Sequence, residues 1–582
     1  MISFFTKSRN HAELGEILKK EGLLTKEQFE TIVRQAEKAG RHLTEIIFED
    51  SSLPEEKTLA LLCQFYDLPP VFLRKKVISP LVINLIPKEV AEQHNVIIFK
   101  KIKDVIHVAI TNPENYQILE FIKKKTELEP IPHLTTPKDI NVALRKYNTQ
   151  IGEDLAQIID YSVKEAAALN VSPEQAARFL PVIKMVNGII EKALGKGASD
   201  IHVEPTLDKI IIRYRIDGML NRVAELPKEA LPLFITRIKI LANLKIDEHM
   251  IPQDGRFHFK YQDQEIAIRV SIIPTLHGPK AALRLLEMQQ KVFTLRKLGL
   301  NQNHYGLLKN EIKANQGMIL VTGPTGSGKT TTLYTLMRML NREDVNICTI
   351  EDPIEYSIDN INQMQVKPQV GLTFASGLRS LLRQDPNIIM VGEIRDEETA
   401  SMAANSAMTG HLVLSTLHTN NAFFVVQRLY EMGIQPYLLA SVINLVIGQR
   451  LVRRICSNCR GRGRFPEKII ANYQPFLKIK ETITKLKKQD LLPKDIKVQE
   501  FRLLHGRGCA KCNYTGYQGR VGIYEILKID RKMRKLILSD NSEEAIRRYA
   551  ASQNILTMAE DGILKVLNGV TTFDEVLRVT KE

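Results

Sequence analysis

The sequence lacks any apolar run close to the roughly 20 residues that a membrane span needs. Its longest candidate, residues 437–448, contains Asn444 and ends at Gln449-Arg450. It also lacks a signal-peptide pattern, because Met1-Ile2-Ser3-Phe4-Phe5-Thr6-Lys7 is too short and too soon charged. The chain is therefore expected to stay in the cytosol. Cysteine is scarce, with six in 582 residues, which excludes a disulfide scaffold. In a reducing compartment, paired Cys-x-x-Cys units more often bind metal. Negative charge is in deficit: 66 Asp+Glu stand against 81 Lys+Arg, a formal net charge of +15. That balance favours an acidic partner such as nucleic acid, an anionic membrane face or nucleotide phosphates.

What is present is ordinary globular composition, 44% hydrophobic and 25% charged. The length suggests about four domains at roughly 150 residues each. Residues 1–68 read as a helical docking domain. Leu14, Ile17 and Leu18 recur at helical spacing, and Thr25 with Gln28 has the form of a capping box. A similar unit follows from Leu43 to Leu62. Residues 69–148 read as a small α/β domain, with strands at 96–99 and 105–110 and helices at 118–125 and 140–147. A polar, helix-prone linker spans 149–178 and includes Glu165-Ala166-Ala167-Ala168. Residues 179–292 form a second α/β unit, with a helix at 182–194 and strands at 209–215, 256–261 and 266–273. From 293 to 582, buried strands at 318–322, 345–350, 388–392 and 412–417 are each followed by a helix, which indicates a mostly parallel sheet. This last domain carries an insertion at 453–515 and a helical tail.

The most specific motif is Gly323-Pro324-Thr325-Gly326-Ser327-Gly328-Lys329-Thr330, which fits G-x-x-x-x-G-K-[ST] at every fixed position. It lies between an apolar strand and a helix beginning at Thr331, the context the motif requires. Its glycines let backbone N–H groups turn toward phosphate, and the helix N-terminus adds positive potential. Lys329 would reach the β and γ phosphates, and Thr330 would hold Mg²⁺. Thr331 completes the candidate nucleotide-binding set. Three acids, Glu351, Asp352 and Glu355, follow the next strand at the edge where the phosphate loop lies. They are suited to hold Mg²⁺ or orient water, or they form a solvated turn stopped by Pro353. Ile388-Ile389-Met390-Val391-Gly392-Glu393 has the Walker B form, a carboxylate after an apolar strand. Arg395-Asp396 reads as a surface ion pair. His411 and His418 flank another strand at an odd separation, so they point to opposite faces and do not make a paired metal site. His418 lies just past the strand's C-terminal end, where a γ-phosphate sensor would sit.

Cys456-x-x-Cys459 and Cys509-x-x-Cys512 are two knuckles whose four thiolates suit tetrahedral Zn²⁺. Free thiols or redox chemistry are the alternative. The gap between the pairs exceeds that of a zinc ribbon, so a helical segment is looped out between them. That segment is basic, with Lys478, Lys480, Lys485, Lys487 and Lys488 clustered. It reads as a nucleic-acid or lipid patch, or as a solvated helical face. Cys63 and Cys348 lie in apolar contexts and read as buried thiols.

In this order the motifs resemble the secretion ATPases of the type II secretion and type IV pilus assembly family. The likeness covers about residues 179–582 and, more loosely, the N-terminal part. Its specific phrases include Ala198-Ser199-Asp200-Ile201-His202-Val203-Glu204-Pro205, Pro252-Gln253-Asp254-Gly255-Arg256, Gly392-Glu393-Ile394-Arg395-Asp396 and Ser415-Thr416-Leu417-His418-Thr419-Asn420. The resemblance implies a PAS-like domain, then a RecA-like ATPase domain, assembled as a homohexamer. It makes Glu355 the catalytic carboxylate of an Asp box, Glu393 the Walker B acid, and His411 and His418 a His box. It makes Arg269 and Arg284 the arginines that leave the PAS-like domain for the nucleotide phosphates, which a planar guanidinium fork suits. It makes the four cysteines the zinc site of assembly-type members, so retraction is disfavoured. The sequence departs from the family pattern at His249-Met250, Ala267, Pro279, Asn387 and Asn421, none of them in the phosphate loop. The N-terminal helices resemble domains that bind cyclic di-GMP in some relatives. Glu13 and His42 stand where that pattern wants arginine, a lost phosphate partner that favours protein docking instead.

The combined expectation is a hexameric Mg-ATPase using ATP, Mg²⁺ and a structural Zn²⁺. Its predicted partners are an inner-membrane platform protein and a cytoplasmic adaptor of a pilus or secretion system, with peripheral membrane association and no nucleic acid. Two rivals share parts of the pattern: a nucleic-acid translocase, and a nucleotide-gated scaffold that binds ATP without turnover.

Overall fold

The computed structural model describes residues 11–48, 53–76, 78, 80–83, 85–147, 180–262, 264–286, 294–462, 466–501 and 503–581. The expected linker at 149–178 lies outside them.

The chain opens with helices His11–Lys20, Lys26–Ala39, Leu43–Phe48 and Glu55–Tyr66, packed around Leu14, Leu18, Phe29, Ile32, Ile47 and Leu59. Thr25 and Gln28 close a reciprocal capping box at the second helix, which satisfies two N–H groups that a helix start leaves unpaired. Gly15 is needed for packing, because a Cβ there would meet the Phe29 ring at 2.7 Å. The next unit is a three-stranded sheet. Val96–Ile102 pairs antiparallel with Val105–Ile110, which pairs in parallel with Glu129–Leu134. That third strand escapes the sequence reading because Pro130 and Pro132 interrupt its pattern. An edge strand tolerates them, since the N–H a proline lacks can lie on the side away from the neighbouring strand.

The second α/β unit is a six-stranded antiparallel sheet in the order Met219–Pro227, Lys209–Ile216, Ala198–Pro205, Lys280–Leu286, Gln264–Ile273, Gln253–Tyr261. Helices Leu180–Gly195 and Ala230–Leu241 share its core. Three of the strands were not expected. Ala198–Pro205 buries Ile201 and Val203 on one face and sets Asp200 and Glu204 against Arg215, Arg213 and Lys280 on the other. Its charge conceals the strand pattern.

The third unit contains a seven-stranded sheet in the order Asn362–Gln365, Ile347–Glu351, Ile388–Val391, Leu412–Leu417, Gly317–Thr322, Ile443–Ile455, Tyr517–Lys528. All neighbours are parallel except the last pair. Alternate residues bury to opposite faces: Leu320, Ile350, Val391 and Val413 enter one core, while Ile319, Val321, Ile347 and Met390 enter the other. The apolar run at 437–448 is divided between helix Pro436–Val442 and the following strand. No described helix is long and apolar enough to cross a membrane.

Between the cysteine pairs lie helices Pro466–Leu477 and Ile479–Lys488. They are not an isolated loop, because Ile470, Leu486 and Phe501 share a core with Leu564, Phe573 and Val576 of the C-terminal helices. Several of the basic groups work inside the chain. Lys485 reaches Glu560 at 2.7 Å, Lys487 the Ile496 carbonyl at 3.0 Å, and Lys468 the Leu23 carbonyl at 2.8 Å.

Candidate functional site

The phosphate loop leaves the fully buried strand Gly317–Thr322 at its C-terminal end. Thr322 Oγ1 anchors that end beside Leu417 O and Thr419 O, at 3.1 and 2.9 Å. Gly326 and Gly328 have φ of 79° and 88°, the left-handed region that glycine enters without steric cost. A Cβ on Gly323 would strike the Gln449 carbonyl oxygen, and one on Gly328 would lie 2.9 Å from Gln449 Nε2. Gln449 is 1% exposed and clamps the loop. Its Nε2 donates to Ser327 O at 2.9 Å, and its Oε1 accepts from Thr332 Oγ1 at 2.7 Å. The sequence reading missed this residue, although it ends the apolar run noted there.

The donor set of the loop fits a nucleotide polyphosphate. Lys329 begins the helix Lys329–Leu340 and folds its Nζ onto Gly323 O at 2.8 Å. Burial holds its pKa below the usual lysine value, with Glu393 opposing the shift. Ser327 Oγ is buried and has no hydrogen-bond partner. An ammonium resting on loop carbonyls, an unpartnered hydroxyl and the N–H groups of a helix start are all suited to phosphate oxygens. Thr330 is exposed beside them.

Glu393 lies just past strand Ile388–Val391 and is 9% exposed. Its carboxylate pairs with Arg395 and lies 3.1 Å from His418 Nε2. Arg395 and Asp396 are therefore not partners: Asp396 instead caps helix Glu397–Met408 by accepting from Thr399 N–H at 2.8 Å. His418 joins the site, whereas His411 stands at the other end of strand Leu412–Leu417, with Nδ1 2.9 Å from Ser406 O.

The acidic stretch separates into two roles. Glu351 ends its strand inside the protein, 2% exposed, so it is not an acid at the open edge. Thr349 Oγ1 donates to it at 2.6 Å, Gln363 Nε2 at 3.0 Å, and the Tyr334 hydroxyl donates as well. Tyr334 belongs to the phosphate-loop helix, and its Oη accepts the Glu355 N–H at 3.3 Å. Burial and the Glu351 charge push the Tyr334 phenol far up, so it stays a donor. The Tyr334–Glu351 pair thus fixes the backbone of Glu355 relative to the phosphate loop, a connection between residues 334 and 351 that no local motif reveals.

Glu355 is exposed and meets Arg269, which arrives from the six-stranded sheet. Arg269 Nη2 lies 3.6 Å from Glu355 Oε2 and 3.4 Å from Ile354 O. Arg284 sits opposite Arg269 in the adjacent strand and is held by Asp200 Oδ1 at 3.1 Å.

The two cysteine knuckles come together. Sγ separations are 4.0 Å for Cys456–Cys509, 3.8 Å for Cys459–Cys512 and 3.7 Å for Cys509–Cys512. Four sulfurs about 2.3 Å from a tetrahedral Zn²⁺ stand about 3.8 Å apart, so the donor set fits zinc. The N–H groups of Cys509 and Gly516 point to Cys512 Sγ at 3.3 Å each. Strands Arg460–Arg462 and Leu504–Gly506 pair antiparallel and bring the knuckles to one place. Cys63 and Cys348 are buried thiols, and burial pushes Cys63 up to about 12.

Residues 175–578 match the family described as Type II/IV secretion system protein. Residues 66–154 match the MshEN domain, largely downstream of the helical copies. A Type IV pilus assembly ATPase PilB of Myxococcus xanthus is 37% identical over 572 residues, covering 97% of this chain and 98% of that protein. A type II secretion system protein E of Pseudomonas aeruginosa is 42% identical, covering 74% of this chain and 82% of its own length. Another protein E, from Dickeya dadantii, is 44% identical over 69% of this chain and 76% of its own length.

Proposed function

The chain belongs to the type II/IV secretion system protein family, and from that premise we propose that it is a hexameric, magnesium-dependent ATP hydrolase driving polymerisation of pilins or pseudopilins. It works at an inner-membrane platform, as a peripheral protein on the cytoplasmic face, with a platform protein and a cytoplasmic adaptor as partners. The observation that supports this best is the approach of Arg269, from one folded unit, to Glu355 at the nucleotide edge of the next, at 3.6 Å. That contact lets the state of the site be felt by a neighbouring domain.

In this reading the loop from Gly323 to Thr331 wraps the phosphates with backbone N–H groups, and Lys329 leaves the loop carbonyls for the β and γ oxygens. Mg²⁺, held by Thr330 and Glu393, would neutralise charge on those oxygens. Glu355 orients and polarises the attacking water, and Tyr334 and Glu351 keep it in place. His418, beside Glu393, reads the γ-phosphate. Arg269 and Arg284 exchange Glu355 and Asp200, respectively, for phosphate oxygens, and the six-stranded domain swings with them as a hinged body. Cys456, Cys459, Cys509 and Cys512 hold a structural Zn²⁺ outside the reaction.

The test is steady-state ATP hydrolysis by the full chain, alone, with DNA, and with the cytoplasmic part of its membrane platform. Stimulation by the platform and indifference to DNA are expected. Full activity in both Glu355→Gln and Glu393→Gln would sink the site assignment, and stimulation by DNA alone would mean a nucleic-acid translocase.

A further inference from the structure

Where the N-terminal helices meet the three-stranded sheet, His11, His42 and Glu114 converge with one ligand atom from each within 4.8 Å of the others. His42 is 9% exposed at its side chain and is held on one side only. Its Nδ1 lies 2.8 Å from Thr44 Oγ1, whose hydroxyl donates to Thr111 O at 2.7 Å. The Thr44 N–H also approaches the same nitrogen, at 3.3 Å. Both contacts fall on Nδ1 and leave Nε2 for another partner. Nε2 is buried, makes no hydrogen bond and faces Glu114 Oε2 at 3.4 Å. A buried ring nitrogen with no hydrogen-bond partner, facing a carboxylate, leaves a place for a cation between them.

We propose that His11, His42 and Glu114 form a second metal site for a first-row divalent cation of the zinc type, with a fourth position open to water or to a partner's side chain. Two imidazoles and a carboxylate are a common open zinc set. A histidine ligand whose other ring nitrogen donates to an oxygen is the usual arrangement around such ions. The surroundings are braced in advance. Thr111 Oγ1 and Asn95 Nδ2 both donate to Glu45, at 2.8 and 3.1 Å, and Asn112 Oδ1 accepts the Glu114 N–H at 2.9 Å. A bound ion would fasten the start of the first helix and the turn at 41–43 to the loop after strand Val105–Ile110.

The test is metal content of the untagged full chain after equilibration with excess Zn²⁺ and gel filtration. It is paired with a Co²⁺ titration, in which a His/carboxylate site lacks the thiolate charge-transfer band of the cysteine site. The wild type is expected to hold one equivalent more than His11→Gln or His42→Gln. His11 is exposed, so His11→Gln keeps the fold while removing a ligand. Because the readout is the difference between wild type and variant, it stands whether or not the cysteines are loaded. Equal metal content in wild type and His11→Gln, or Co²⁺ bands from thiolate alone, would overturn the proposal.

Discussion

The phosphate loop and the cysteine knuckles meet the same strand, Ile443–Ile455, at its middle and just past its end, and are built on opposite plans. Gln449 on this strand clamps the loop, and Cys456 follows its last residue. The loop is contiguous and works through its backbone. Its charged and polar groups rest on provisional internal partners, as Lys329 does on Gly323 O, or on none, as with Ser327 Oγ. The knuckles are discontinuous and work through side chains already drawn to the spacing of a tetrahedral ion. A site that must bind and release on each cycle keeps partners it can exchange at little cost. A site that holds one ion has no such need, and its neighbours converge on the sulfurs.

Four changes break or sharpen that contrast. Cys512→Ser should have the largest effect: zinc is lost, along with folding free energy of about 10 kcal/mol or more, typical of structural sites. Metal analysis and limited proteolysis of the 453–515 region would report it, and retention of one tightly held zinc would contradict the ligand assignment. Lys329→Ala should lower turnover by roughly 10²–10³-fold, the scale of removing one donor to developing charge, and leave zinc content untouched. Loss of zinc in that variant would show that the two sites are not independent.

The strut between them is pH-sensitive. Glu575 accepts the Arg453 N–H at 2.9 Å and also pairs with the Arg453 and Arg578 guanidinium groups. Burial pushes its carboxyl up, but these hydrogen bonds outweigh it and hold the pKa at about 2. A depressed carboxylate stabilises the fold above its unfolded value of 4.5 and loses that contribution as pH falls toward 2. The expected contribution is about 3 kcal/mol. Acid titration of unfolding should therefore show a step below pH 4.5 that Glu575→Gln removes. The smallest effect is expected of Tyr334→Phe, which leaves Glu351 buried and frees the Glu355 backbone. Turnover should fall by about ten- to a hundredfold with little change in KM for ATP. A KM change alone would mean that Tyr334 serves nucleotide binding.

Much of the fold was legible because its signals are local. Strand Ile388–Val391 is apolar throughout and Leu412–Leu417 nearly so, as suits strands buried on both faces. Elements were missed where another demand overrode the pattern: prolines on the edge strand Glu129–Leu134, and charges on the outer face of Ala198–Pro205. The acidic turn was misread in part for a related reason. Glu351 and Glu355 are alike on paper, but strand geometry carries one inward to Tyr334 and leaves the other exposed to Arg269. The basic segment between the cysteines reads as an anion-binding patch or as a solvated face, yet Lys468, Lys485 and Lys487 satisfy carbonyls and a carboxylate of the chain itself.

By itself, the sequence determined whatever depends on residues adjacent in the chain. The phosphate loop follows from glycines that alone accept its backbone angles, the helix starts from their capping residues, and the parallel sheet from apolar runs alternating with helices. Tertiary structure alone decided which distant groups meet: Gln449 on the loop, Tyr334 on Glu351, Arg269 on Glu355, and His11 beside His42 and Glu114. Such meetings are set by the register of strands and the packing of helices across tens to hundreds of residues. A hydrogen bond or ligand set is won or lost within an ångström, a precision that spacing along the chain does not carry.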